Sequence, residues 1–158
     1  MAQKKRKMHP AQLPIYRALE RLLLWVIPMV AKLPKNVAFA TLGEAAIHDV
    51  CDCLEAVTAF QSLSKDDPNI RAAKKRCLLL VTARMTALKT KTRVLVQQRI
   101  RVIGKDNNDH LVPILSPRQE AVFLDLLNPI EFQAYAWLGR EDEAAYKPGI
   151  YDQGYECH

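Results

Sequence analysis

Three carboxylates, Asp49, Asp52 and Glu55, recur at helical spacing near one face, the pattern by which a phosphoryl-transfer enzyme would hold a divalent cation. The same pattern describes a solvated face or one that pairs with basic side chains of a neighbouring subunit, and that reading is the one adopted. His48, Cys51 and Cys53 invite a metal reading, yet on a helix Cys53 lies about 140° around from His48, so the three cannot aim at one ion. Cys157-His158 adds no ligand set of standard spacing. No P-loop, nucleotide fingerprint or nucleophile elbow occurs. The Arg-x4–6-His spacing of four-helical ribonucleases is absent too, since His110 follows Arg101 by nine residues and no suitable Arg precedes His48. The expectation is a protein without catalytic residues, metal, cofactor or small-molecule substrate.

Charge is more informative. Residues 1–105 carry 20 Lys/Arg against 7 Asp/Glu, whereas residues 106–158 carry 3 against 10. From Pro68 to Lys105 there are eleven basic residues and no acidic one. An ordinary exposed helix mixes signs for i,i+4 support. One-sign charge over this length repels itself, and a polyanion is its natural compensation; the competing reading is a solubilising face neutralised within an oligomer or by the acidic C-terminal part. Eighteen residues make five helical turns, so Arg71 stacks above Lys89 and Lys75 above Arg93, with Lys74 and Lys91 in the same basic set. These six residues are the expected phosphate contacts, and Lys4, Lys5, Arg6 and Lys7 are an auxiliary flexible arm. Contacts of this kind position nucleic acid without reading its sequence. Aromatics are absent between Phe60 and Phe123, so structured RNA or duplex is expected in preference to a stacked single strand.

The elements that would position this stripe are helices. The periodicity predicts a first helix over 14–33, with Pro28 as a kink and Pro34 as a stop, and a second over 37–63 containing Thr41-Leu42-Gly43-Glu44, which has the form of a capping box. Asp67-Pro68 reads as an N-cap followed by proline at the first helical position, opening a third helix that runs to about Gln98. Ser116-Pro117-Arg118-Gln119 opens a fourth through about Leu138, kinked at Pro129, and residues 99–115 read either as a small β-hairpin or as an irregular loop. The resulting expectation is an all-α antiparallel four-helix bundle over 14–138, between a basic N-terminal tail (1–13) and an acidic, tyrosine-containing C-terminal tail (139–158).

A chain of 158 residues, 49% hydrophobic, is sized for one core. Its longest apolar run, Leu22 to Ala31, is about half of a membrane span, and no cleavable leader pattern accompanies the basic N-terminus. Four cysteines in a chain of this kind read as buried thiols, so a cytoplasmic, reducing location with no membrane partner is expected.

The stretch from Ile15 through Trp25-Val26-Ile27-Pro28 to Leu33-Pro34-Lys35 resembles the first helix of the Avd proteins, the accessory variability determinants of diversity-generating retroelements. These belong to a wider group that includes the ribosomal intervening-sequence four-helix proteins. The resemblance continues through Ala72-Ala73, Leu78-Leu79-Leu80, Leu115-Ser116-Pro117-Arg118-Gln119 and Trp137-Leu138-Gly139, covering roughly residues 14–139. It implies a small non-enzymatic protein that assembles as a ring-like homopentamer. It also implies binding to the element's reverse transcriptase and to its template or spacer RNA and cDNA hybrid, in support of mutagenic retrohoming. The alternative is a stand-alone structural RNA- or ribosome-associated four-helix protein without a polymerase partner. The longer connection at 99–115 and the acidic tail depart from the family pattern.

Overall fold

The computed structural model describes residues 9–145. The tail residues Lys4, Lys5, Arg6 and Lys7, and everything after Ala145, lie outside the described residues. The chain is mostly helical: after a short 3-10 turn at Pro10–Gln12 come α1 (Pro14–Ala31), α2 (Val37–Ser62) and α3 (Ile70–Gln97), then strands β1 (Arg99–Ile103) and β2 (Asp109–Pro113), then α4 (Pro117–Ala145). No described helix is long and apolar enough to cross a membrane.

Local chemistry sets the helix ends. Pro14 occupies the first helical position of α1, where its missing N–H costs nothing. α2 is capped by Asn36, whose side-chain oxygen accepts from the Phe39 N–H at 3.0 Å. Thr41 is not the expected cap; it lies inside α2 and its hydroxyl donates to the Val37 carbonyl at 2.8 Å. α3 starts later than the Asp67-Pro68 pair predicts, because Asp67 closes a turn instead: its side chain accepts from the Asn69 N–H at 2.8 Å and its carbonyl from the Ile70 N–H at 3.1 Å. The reciprocal capping box of α4 forms as read, with the Gln119 N–H donating to Ser116 Oγ at 3.1 Å and the Ser116 N–H to Gln119 Oε1 at 2.9 Å. α4 does not stop at Leu138; it continues through Gly139 to Ala145, so the boundary placed at 139 falls within a helix.

Each helix buries one stripe. Ile15, Leu19, Leu22 and Val26 of α1 meet Val50, Cys53 and Val57 of α2, Val81, Met85 and Leu88 of α3, and Phe123, Leu127 and Ile130 of α4 in one core. α1 packs on α2 and α4, and α3 packs on α2 and α4. Trp25 meets Phe123 with ring centroids 5.5 Å apart, tying α1 to the first half of α4.

Residues 99–113 form a hairpin, with Ile100 opposite Val112 and Arg101 opposite Leu111. Its base is fixed to the end of α3 by the Ile114 N–H on the Gln98 carbonyl (3.0 Å) and the Leu115 N–H on the Leu95 carbonyl (3.2 Å). Its turn is braced by Asp106, which accepts from the Asn108 N–H at 3.2 Å and contacts His110 Nε2 at 3.0 Å. The His110 contact, with help from Asn108, holds the Asp106 carboxyl below its usual range.

α1 and α2 approach most closely at Gly43, where a Cβ would lie 2.6 Å from Val30 Cγ1 and 3.1 Å from Leu33 Cδ1. Valine is stiff at χ1, so it cannot simply swing aside. Gly43→Ala gains about 1 kcal/mol of helix propensity but forces overpacking that typically costs about 1–3 kcal/mol. The expected net result is a lower urea midpoint, restored when Val30→Ala is added; a midpoint raised by Gly43→Ala alone would contradict the close approach.

Candidate nucleic-acid interface

The acid-free basic run occupies all of α3 and the first strand of the hairpin, and the structure divides it. On a wheel of about 100° per residue, Lys89 lies about 40° from the core residue Met85 and Arg93 about 80°, on the flank that faces α4. There Lys89 forms an ion pair with Glu131, and Arg93 Nη1 sits 2.8 Å from Glu120 Oε1. On the opposite flank Lys91 pairs with Asp49, while Arg84 reaches both Asp49 (3.7 Å) and Asp52 (3.1 Å) on α2. Three of the six residues expected to contact phosphate, Lys89, Lys91 and Arg93, are therefore tied to carboxylates of the same chain. Equal spacing along a helix is common to an outward stripe and to a flank; the angle to the apolar stripe separates them.

Asp49 is the deepest of these charges. Its side chain is 2% exposed and that of Lys91 22%, so both have lost most of their water. A carboxylate in that position is tolerable only with a cation and hydrogen bonds around it. Of the three carboxylates, Asp49 and Asp52 are engaged by Arg84 and Lys91 of α3 in the same chain, whereas Glu55 is exposed. Among the described residues, no group of three or more His, Cys, Asp or Glu side chains is placed to hold a metal ion. Cys53, beside this cluster, donates to the Val81 carbonyl with Sγ at 3.8 Å. Burial first, and then the charges of Asp49 and Asp52, push its thiol up to about 12, so it stays protonated at neutral pH.

The start of α3 differs. Arg71, Lys75 and Arg76 are exposed and Lys74 is half-buried. The Lys74 ammonium lies 5.4 Å from the Phe60 ring centroid, and Phe60 stacks on Trp137 at 5.2 Å and 19°. Sequence reasoning missed this aromatic pair beside the basic stripe because its members come from α2 and α4. It also set aside the hairpin, where Arg99, Arg101 and Lys105 are all exposed. Alternation along β1 puts Arg99 and Arg101 on one face, a repeat of about 6.6 Å that is compatible with neighbouring phosphates. The cations of the Pro68–Lys105 run thus fall into a middle, Arg84 to Arg93, paired with carboxylates of α2 and α4, and two further groups, one at the start of α3 and one on β1 and the hairpin turn.

No family model, no curated protein and no solved structure matches the chain.

The paired middle makes a stability prediction. Asp49→Ala leaves Lys91 without its buried counter-charge, which should cost about 3–5 kcal/mol by analogy with other broken buried pairs. Combining Asp49→Leu with Lys91→Met should recover most of that loss in equilibrium unfolding. A change within about 0.5 kcal/mol, typical of an unremarkable surface position, would contradict the role given to Asp49.

Proposed function

We propose that the chain is a non-catalytic accessory protein of a diversity-generating retroelement, binding the element's reverse transcriptase and its template or spacer RNA and cDNA hybrid in support of mutagenic retrohoming. In this reading the four helices form an antiparallel bundle that assembles as a ring-like homopentamer in the cytoplasm. The observation that carries the nucleic-acid part is the Pro68–Lys105 run, which holds eleven basic residues and no acidic one. Outside that middle, Arg71, Lys75, Arg76, Arg99, Arg101 and Lys105 have exposed side chains. Arg71, Lys74 and Lys75 stay as proposed phosphate contacts and Lys4 to Lys7 as an auxiliary arm. Arg99, Arg101 and Lys105 join them, while Lys89, Lys91 and Arg93 are reassigned to holding α3 against its neighbours.

Assembly is supported by large apolar side chains on outward faces. Leu24 is 72% exposed on α1 and Phe132 76% exposed on α4, accompanied by Ile27 and Tyr135. Exposed aromatic and aliphatic groups of this size suit protein contacts. The order and type of the residues shared with the Avd family supply the choice of polymerase partner.

The test is a pull-down of the tagged protein from its native host across a salt series, with sequencing of bound RNA and mass spectrometry of bound protein. Recovery of a reverse transcriptase with a repeat-derived RNA is the expected result. Ribosomal RNA alone would favour the stand-alone structural reading, and absence of nucleic acid even at low salt would leave the basic residues to assembly. In vitro, Arg99→Gln with Arg101→Gln should reduce the salt slope of RNA binding by about two, one per lost phosphate contact, with helicity unchanged. An unaltered slope would remove the hairpin from the interface.

A further inference from the structure

The hairpin is a sheet of two strands, so among the described residues each strand has one edge without a neighbour. Bonded and non-bonded pairs alternate along an antiparallel ladder, and here the alternation is fixed at both ends. The Ile114 N–H donates to the Gln98 carbonyl at 3.0 Å and the Gly104 N–H to the Asn108 carbonyl at 3.0 Å. Counting inward by two, Ile100 with Val112 and Val102 with His110 are the bonded pairs. Arg99, Arg101 and Ile103 are then the non-bonded positions of β1, and their N–H and C=O groups point away from β2. Among the described residues, no backbone group outside the hairpin hydrogen-bonds to them.

The two edges are unequal. The outward positions of β2 are Asp109, Leu111 and Pro113, and Pro113 has no N–H to offer. β1 offers three donors and three acceptors in a row over about 13 Å, all on exposed residues. The strand is also held ready. Asn107 supplies the left-handed turn position at φ 58°, Asp106 braces the turn, and the base is bonded to the end of α3, so little ordering is left to be done on binding. An open edge attracts other strands, and its side chains decide which. Setting these three residues against the same three of a second copy in antiparallel sense puts Arg101 directly against Arg101, which is unfavourable. The same arginines favour an acidic strand. Ile103 and Leu111 form an exposed apolar spot on the face of Arg99 and Arg101, and Val102 is exposed on the opposite face.

We propose that the outer edge of β1 takes an extended acidic segment of a second protein as a third, antiparallel strand. The pattern that fits is apolar, apolar, acidic, any residue, acidic, running from Ile103 towards Arg99. The first apolar side chain lies beside Ile103 and the second beside Val102, while the two acidic ones lie beside Arg101 and Arg99. Main-chain bonds to the edge supply the affinity and the alternating side chains the selectivity. The contact uses the backbone of β1, so it stands whether or not the chain binds RNA.

The experiment is amide hydrogen exchange, read by NMR on the 15N-labelled full chain with the end-blocked peptide TVVETETS. At saturation the N–H groups of Arg99, Arg101 and Ile103 are expected to exchange at least about tenfold more slowly, while that of Val102, already bonded to β2, changes little. Methylating the backbone nitrogen of the glutamate beside Arg101 removes a ladder bond and should weaken binding by about tenfold. Methylating the threonine between the two glutamates, whose N–H points away from β1, should leave affinity nearly unchanged. The Arg101→Glu chain should instead prefer the peptide with lysine in place of the first glutamate. A peptide that leaves the three amides exchanging as before, or whose two methylated forms bind equally, would overturn the proposal. So would protection that arises without peptide and grows with protein concentration, which would put a second copy on the edge. Protection conferred by a mixed-sequence RNA oligonucleotide and not by the peptide would overturn it too.

Discussion

Asp49 is a carboxylate taken almost wholly out of water where α2 meets α3, and the requirement that it be neutralised there constrains how α3 is used. Lys91 and Arg84 answer it from α3, and Arg84 also holds Asp52. A helix so engaged on one flank is fixed in rotation about its own axis. On the other flank Lys89 and Arg93 meet Glu131 and Glu120 of α4. Between these flanks the apolar residues Val81, Met85 and Leu88 enter the core. The middle of α3 is therefore held on both sides by charge and in the centre by burial. What composition shows as a long excess of positive charge is, over this stretch, locally compensated.

The same arrangement accounts for the asymmetry between the two parts of the sequence. Glu120 and Glu131 belong to the acidic C-terminal part, and their work is within the fold, opposite a basic helix distant in sequence. Positive charge remains exposed at the two ends of the acid-free run, the start of α3 and the hairpin after it. The proposed RNA contact is thereby concentrated at sites separated by the length of a helix, which would favour an extended or structured ligand over a short one.

Much of the local architecture was legible in the sequence because it rests on short-range chemistry. Pro14, the Ser116–Gln119 capping box and the apolar spacing of Ile15 to Val26 act within a few residues, and the structure follows them. The Thr41–Glu44 pattern misled because Asn36 had already capped the helix. Asp67-Pro68 misled because its side chain closes a turn just before the helix. The division of the basic stripe was partly legible: the angle of Lys89 and Arg93 to the apolar face was available from spacing, but their partners on α4 were not. The juxtaposition of Phe60, Trp137 and Lys74 was invisible, since it joins three helices. Site chemistry that depends on tertiary contacts of this sort leaves no local signature.

The basic run serves two separate purposes, and lysine side-chain NMR reads both at once. In a 15N-labelled sample the ammonium signals of Lys74, Lys75, Lys89, Lys91 and Lys105 can be followed while RNA is added. The signals of Lys75 and Lys105 are expected to shift with saturation, while those of Lys89 and Lys91, held by Glu131 and Asp49, stay in place. Movement of the Lys89 and Lys91 signals with Lys75 and Lys105 unaffected would contradict it, and so would a titration in which no lysine responds.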